Sequence, residues 1–165
     1  MTNRSITAVG VALMGILLVT FAAVAQQTDP WIGTWKLNLA KSTFNPGPAP
    51  KSNTLRIEPV AGGNLKTTFD GVNAQGQATH SERVAKFDSS EVPVQAVAPP
   101  AKTVATNAFR RLGDRSFEVI AKVDGKLTST NRLVISPDGK TMTQTSTGTN
   151  AQGQTINNTT VYEKQ

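Results

Sequence analysis

Arg83 is the residue whose placement would do the most chemistry. It lies in the run Ser81-Glu-Arg-Val-Ala85, with Phe87 beyond. If Ala85 and Phe87 face an interior, period-two alternation turns Arg83 and Ser81 the same way. A slip of one residue turns Arg83 to solvent instead. An arginine facing inward needs an anion or several acceptors, because an unpaired buried charge is costly. Asn131, between Ser129 and Leu133, has the same inward parity on its own run. Tyr162, if inward, carries Thr160 and Asn158 with it. Such an interior is either a water-filled lumen or a pocket for an amphipathic acid.

Other chemistries lack their parts. His80 is the only histidine and Glu82 its only near partner on the same strand face. Two ligands fall short of the four that zinc usually takes, so His80 reads as an ordinary strand residue and no metal is expected. With no cysteine there is neither a disulfide framework nor a thiolate metal site. Serines and threonines are plentiful, but no serine elbow, oriented histidine or glycine-rich phosphate loop accompanies them. No catalytic residue and no cofactor is expected. The net charge is +6, with lysines and arginines scattered and Arg110-Arg111 the only adjacent pair. That pattern reads as a soluble basic surface and argues against nucleic-acid binding.

These side chains must be carried by strands. Trp35, Leu37 and Leu39 alternate with Lys36 and Asn38, Leu65, Thr67 and Phe69 with Lys66 and Thr68, and Phe117, Val119 and Ala121 with Glu118 and Ile120. Asp124-Gly125, Asp138-Gly139 and Gly62-Gly63 mark tight turns between the runs. One segment occurs twice. Leu55-Arg-Ile-Glu-Pro59 leads to Gly71-Val-Asn-Ala-Gln-Gly-Gln77, and Leu133-Val-Ile-Ser-Pro137 leads to Gly148-Thr-Asn-Ala-Gln-Gly-Gln154. Each copy reads strand, turn, strand, turn, so two related meanders share one core.

Eight to ten strands follow, centred near Leu37, Ile57, Thr67, Val84, Ala105, Val119, Thr130, Thr143 and Thr160, with a short edge strand over residues 91–96. That many short antiparallel strands must close or split into two sheets. Hairpin connections favour an all-β, antiparallel up-and-down barrel over a sandwich, whose crossovers need longer connectors. The proline-rich segment 42–52 reads as an ordered loop draped over one end, and residues 89–102 as the connector between halves. Residues 1–25 have the three parts of a secretory signal peptide, namely Arg4, an apolar run over 6–24, and Ala23-Val-Ala25 before the cut. Residues 26–165 then form one domain, periplasmic or extracellular, with no membrane span after cleavage. Outward Lys36, Arg56, Lys66, Glu118 and Lys122 are wrong for a lipid-facing barrel.

Gly33-Thr-Trp-Lys-Leu-Asn-Leu-Ala-Lys-Ser42, with Phe44-Asn-Pro-Gly-Pro48 after it and Val161-Tyr-Glu-Lys164 at the end, resembles a family of small secreted bacterial lipocalin-like proteins of unassigned function. The resemblance covers nearly all of the chain after the leader. It implies a barrel closed at one end that holds a small apolar ligand, with Trp35 either plugging the closed end or lining the ligand. Trp31 is expected to pack outside that end, and Lys164 is the only cation near the position where the family stacks an arginine on the opening tryptophan. Mid-barrel positions such as Thr67, Ala85, Ala121, Ser129 and Ser146 are small, which favours a cavity. The ligand-contacting set is then Trp35, Phe69, Arg83, Phe87, Asn131 and Tyr162, around an apolar or amphipathic small molecule. The alternative is a filled barrel that acts as a structural or interaction protein of the cell envelope.

Overall fold

The alternating runs do form strands, and the strands form one sheet. The computed structural model describes residues 29–98, 102–150 and 152–165; the expected signal peptide lies outside them. The strands are β1 (Gly33–Leu37), β2 (Ser52–Val60), β3 (Asn64–Val72), β4 (Ala78–Ala85), β5 (Asp88–Pro93), β6 (Gln95–Ala98), β7 (Ala105–Gly113), β8 (Ser116–Val123), β9 (Lys126–Ile135), β10 (Thr141–Thr149) and β11 (Thr155–Lys164). Their order in the sheet is β5-β7-β8-β9-β10-β11-β1-β2-β3-β4-β6, with every neighbouring pair antiparallel. The result is an all-β, nearly closed barrel.

Eleven strands replace the expected eight to ten, and the reason lies in the connector. The segment expected as one short edge strand is two strands flanking Val94. Its first half pairs with β7 and its second half with β4, the two ends of the sheet. The Val94 N–H still donates to the Ala105 carbonyl, at 2.9 Å. The sheet is therefore closed through the covalent chain at Val94. Pro93 sits just before the crossing, where a residue without an N–H is tolerated.

One end of the barrel is plugged by aromatic rings. Trp31 and Trp35 are both fully buried, and the Trp31 ring packs 4.2 Å from that of Phe117. Trp31 is thus inside the barrel and not on its exterior, because its N–H finds an acceptor there, the Asp114 carbonyl at 3.1 Å. The Trp35 N–H donates to the Trp31 carbonyl at 2.9 Å. Lys164 reaches over Gly33 to lie 5.0 Å from the Trp35 ring centre and donates to the Pro30 carbonyl. A β-carbon at Gly33 would come within 2.8 Å of the Lys164 side chain, so glycine is what leaves room for that cation. Phe87, Phe109 and Phe117 fill the next layer edge to face.

The segment 42–52 is anchored to the sheet at both ends. Thr43 exchanges backbone hydrogen bonds with Thr159 at 2.7 and 2.9 Å, and Asn45 accepts from the Asn157 N–H at 2.7 Å. It begins as barrel wall beside β11 and returns to the sheet at Lys51, whose N–H donates to the Val72 carbonyl at 2.8 Å.

The duplicated segment marks two equivalent corners at the end opposite the plug. In one copy Asn73 closes its loop by accepting from the Gln77 N–H at 2.9 Å and donating to the Gln77 side chain at 2.9 Å. Asn150 does the same with Gln154, at 2.9 and 2.8 Å. Just before each loop a glycine lies where neighbouring backbone leaves no room for a side chain. A β-carbon on Gly71 would meet the Ser52 carbonyl oxygen at 2.5 Å, and one on Gly148 the Thr128 carbonyl oxygen at 2.0 Å. Substituting Gly148→Ala is expected to lower unfolding stability by about 1–3 kcal/mol, the usual cost of forcing extra volume into a packed site. Urea denaturation checks this, and an unchanged midpoint would mean the corner does not depend on the close approach.

Candidate functional site

Arg83 is held by alternation on β4. Its neighbours at the same parity, Ser81 and Ala85, pair with Phe69 and Leu65 on β3, so all five side chains share the inner face. Behind the aromatic plug the inner side chains become small or polar and leave a cavity of about 220 Å³. Leu55, Ile57, Phe109 and Leu133 supply its apolar wall, and Arg83, Asn107, Asn131 and Gln144 its polar one. A space of this order holds a small ring system, since an apolar void of about 150 Å³ accepts benzene.

Arg83 is half-buried, with its guanidinium held between a ring and an amide. It stacks 4.4 Å from the centre of the Phe69 ring. With its amide turned to satisfy both ends, Asn107 donates to the Thr106 carbonyl at 3.0 Å and accepts from Arg83 Nε and Nη1 at 3.3 and 3.2 Å. Burial pushes the Arg83 pKa down to about 10, which leaves it charged at neutral pH. No carboxylate among the described residues lies within ion-pair distance of it. A guanidinium has five N–H groups. Asn107 engages two, so three remain for a partner.

The other polar groups on the wall are already used. Asn131 donates to the Val119 carbonyl at 3.3 Å and the Ser129 hydroxyl at 3.1 Å, and accepts from Gln144 at 3.2 Å. Gln144 also donates to Ser146 at 3.1 Å. This chain of amides and hydroxyls braces β8, β9 and β10. Tyr162 is buried above it and accepts from the Asn53 amide at 3.3 Å. Burial raises the Tyr162 pKa to about 12, and the charge of Arg83 works weakly against that rise.

Of the six residues expected around a ligand, Phe69, Arg83 and Asn131 border the cavity together. Trp35 lies below it in the plug. Phe87 packs in the aromatic layer beneath Arg111, whose guanidinium is 4.3 Å from its ring centre. Tyr162 stands beside Asn53 near the other end of the barrel. Sequence reading missed Asn107 and Gln144. Both were within its reach, since Asn107 shares parity with Phe109, and Gln144 with Met142 and Ser146. On the outer face His80 contacts Asp70 at 2.6 Å and stands 3.7 Å from Glu82. Among the described residues no group of three or more histidines, cysteines or acids is arranged to hold a metal. No helix among them is long and apolar enough to cross a membrane.

No family model, no curated protein and no solved structure matches this chain. The nearly closed antiparallel barrel is compatible with a calycin-like fold.

Tyr162 is the only tyrosine, so its ionisation can be followed directly. Phenolate absorbance of the folded protein is expected to rise near pH 12, and that of the urea-unfolded chain near the ordinary value of 10. The folded state holds this proton more tightly, so the stability it contributes is whole below pH 10 and is lost as the pH climbs toward 12. A folded-state titration at the ordinary value would place the phenol in water.

Proposed function

We propose that this protein binds a small amphipathic anion inside the barrel, with the acid group on Arg83 and the apolar body in the cavity beside it. The observation that carries this reading is the Arg83 guanidinium, charged, half-buried and free of any carboxylate among the described residues, with three N–H groups unspent. Desolvating a cation without an anion costs several kcal/mol. A ligand carboxylate would offset that cost with charge-assisted, bidentate hydrogen bonds. The apolar wall of Leu55, Ile57, Phe109 and Leu133 supports a compact hydrocarbon body. A filled barrel in a structural role accounts for the aromatic plug but not for an inward, unpaired cation next to empty space. The leader-like residues 1–25 support a secreted setting, in which such a protein would sequester or carry its ligand outside the cytoplasm.

The test compares 2-naphthoate with its neutral isostere 2-naphthamide by fluorescence titration. Naphthoate is expected to bind and naphthamide to bind about 10- to 100-fold more weakly, the worth of hydrogen bonds to a charged group. Arg83→Met should erase the difference between the two. Equal affinities for the natural protein would remove the anion from the reading.

A further inference from the structure

We infer that the ligand enters through the side of the barrel, at the seam between β4 and the β5–β6 crossover, so that Arg83 is met from outside through the wall. This rests on the binding reading above and adds its route. The ladder between β4 and the crossover stops part-way along β4, and this gap lies at Arg83. β6 pairs with β4 only as far as Glu82, and β5 turns away to β7. Residues 83–85 therefore have no strand partner on that side. A cleft of about 180 Å³ opens there.

Arg83 is the one residue that borders both this cleft and the inner cavity. It and Val92 form the floor of the cleft, and Val84 and Pro93 give it apolar sides. The outer lip is basic. Lys86 is exposed and enters no ion pair among the described residues, while Lys66 pairs with Glu82 at 3.0 Å. A compact organic anion approaching from solvent would meet Lys86, pass between Val84 and Pro93, and exchange its hydration for Arg83. The opposite route, past the corners at Gly71 and Gly148, offers a second hollow lined by Asn53, Phe69, Thr79, His80, Ser81 and Arg83, which also touches the inner cavity at Phe69 and Arg83 but has no lysine at its lip. It lacks a comparable run of cations.

The experiment is stopped-flow mixing of the purified protein with 2-naphthoate. Val84→Trp fills the cleft from an outward position. It is expected to slow association and dissociation alike, each about tenfold, and to leave Kd within about twofold, the signature of a narrowed passage that is no part of the seat. Thr79→Trp at the barrel end should change neither rate. Lys86→Glu, at an exposed position that folding tolerates, should lower association about threefold at low salt, an effect that vanishes at high salt. A Val84→Trp protein with faster dissociation and weaker Kd would make the cleft part of the seat and overturn the doorway. Slowing by Thr79→Trp alone, or unchanged association of Lys86→Glu at low salt, would overturn it too. If the natural protein binds no naphthoate at all, the seat on Arg83 fails, and the doorway with it.

Discussion

The structure depends on how an eleven-stranded sheet disposes of its two edges. An open edge presents unpaired N–H and C=O groups to any passing chain. Most barrels solve this with a complete ladder between first and last strands. Here the chain itself bridges the edges, changing partner at Val94 between one residue and the next. Closure without a ladder has two consequences. The barrel is held shut by the covalent backbone and by hydrogen bonds to β7 and β4. The wall also carries a cleft at that crossing, and Arg83 stands beside it.

The remainder of the barrel is a gradient of side-chain volume along its axis. Two tryptophans and three phenylalanines crowd one end, and threonines, serines and amides line the other. Large aromatic side chains dominate core energetics, and losing one typically costs about 3–5 kcal/mol. The plug can therefore supply the cohesion that the polar half lacks. That lets the polar half keep empty space and an unpaired cation without unfolding. Cohesion and empty space are thus separated along one cylinder, with Phe109 and Leu133 touching both zones.

Much of this was legible in the sequence, because period-two alternation is a local signal that the sheet obeys. Parity tied Arg83 to Ala85 and Asn131 to Leu133, but alternation alone left open a one-residue slip that would turn Arg83 outward; the pairing of β4 with β3 selects the inward register. The duplicated Asn-Ala-Gln-Gly-Gln phrase identified two loops that fold alike, down to the same side-chain closures. What the sequence could not disclose was tertiary. Residues 91–96 look like one edge strand because the change of partner at Val94 leaves no mark on alternation. Trp31 looks like an exterior residue because its neighbour Pro30 suggests a chain end, whereas the Asp114 carbonyl that receives its N–H lies far along the sequence. Phe87 follows the parity of Arg83 but sits past the end of β4, where the turn carries it into the plug.

The distinction between satisfied and unsatisfied polar groups decides which inward residue matters. Asn131, Gln144 and Ser146 are as deep as Arg83, yet they bond to one another and to backbone, and so rigidify the wall. Networks of that kind are a common reason for polar residues in a core. Arg83 differs because its partners are a ring face and one amide oxygen, neither of which balances its charge. Natural selection for stability alone would favour methionine or leucine at such a position, since an apolar side chain of similar size fills the same space without the desolvation cost. Keeping a guanidinium there makes sense when something negative arrives to meet it, and the neighbouring cavity supplies the room for what that negative group is attached to.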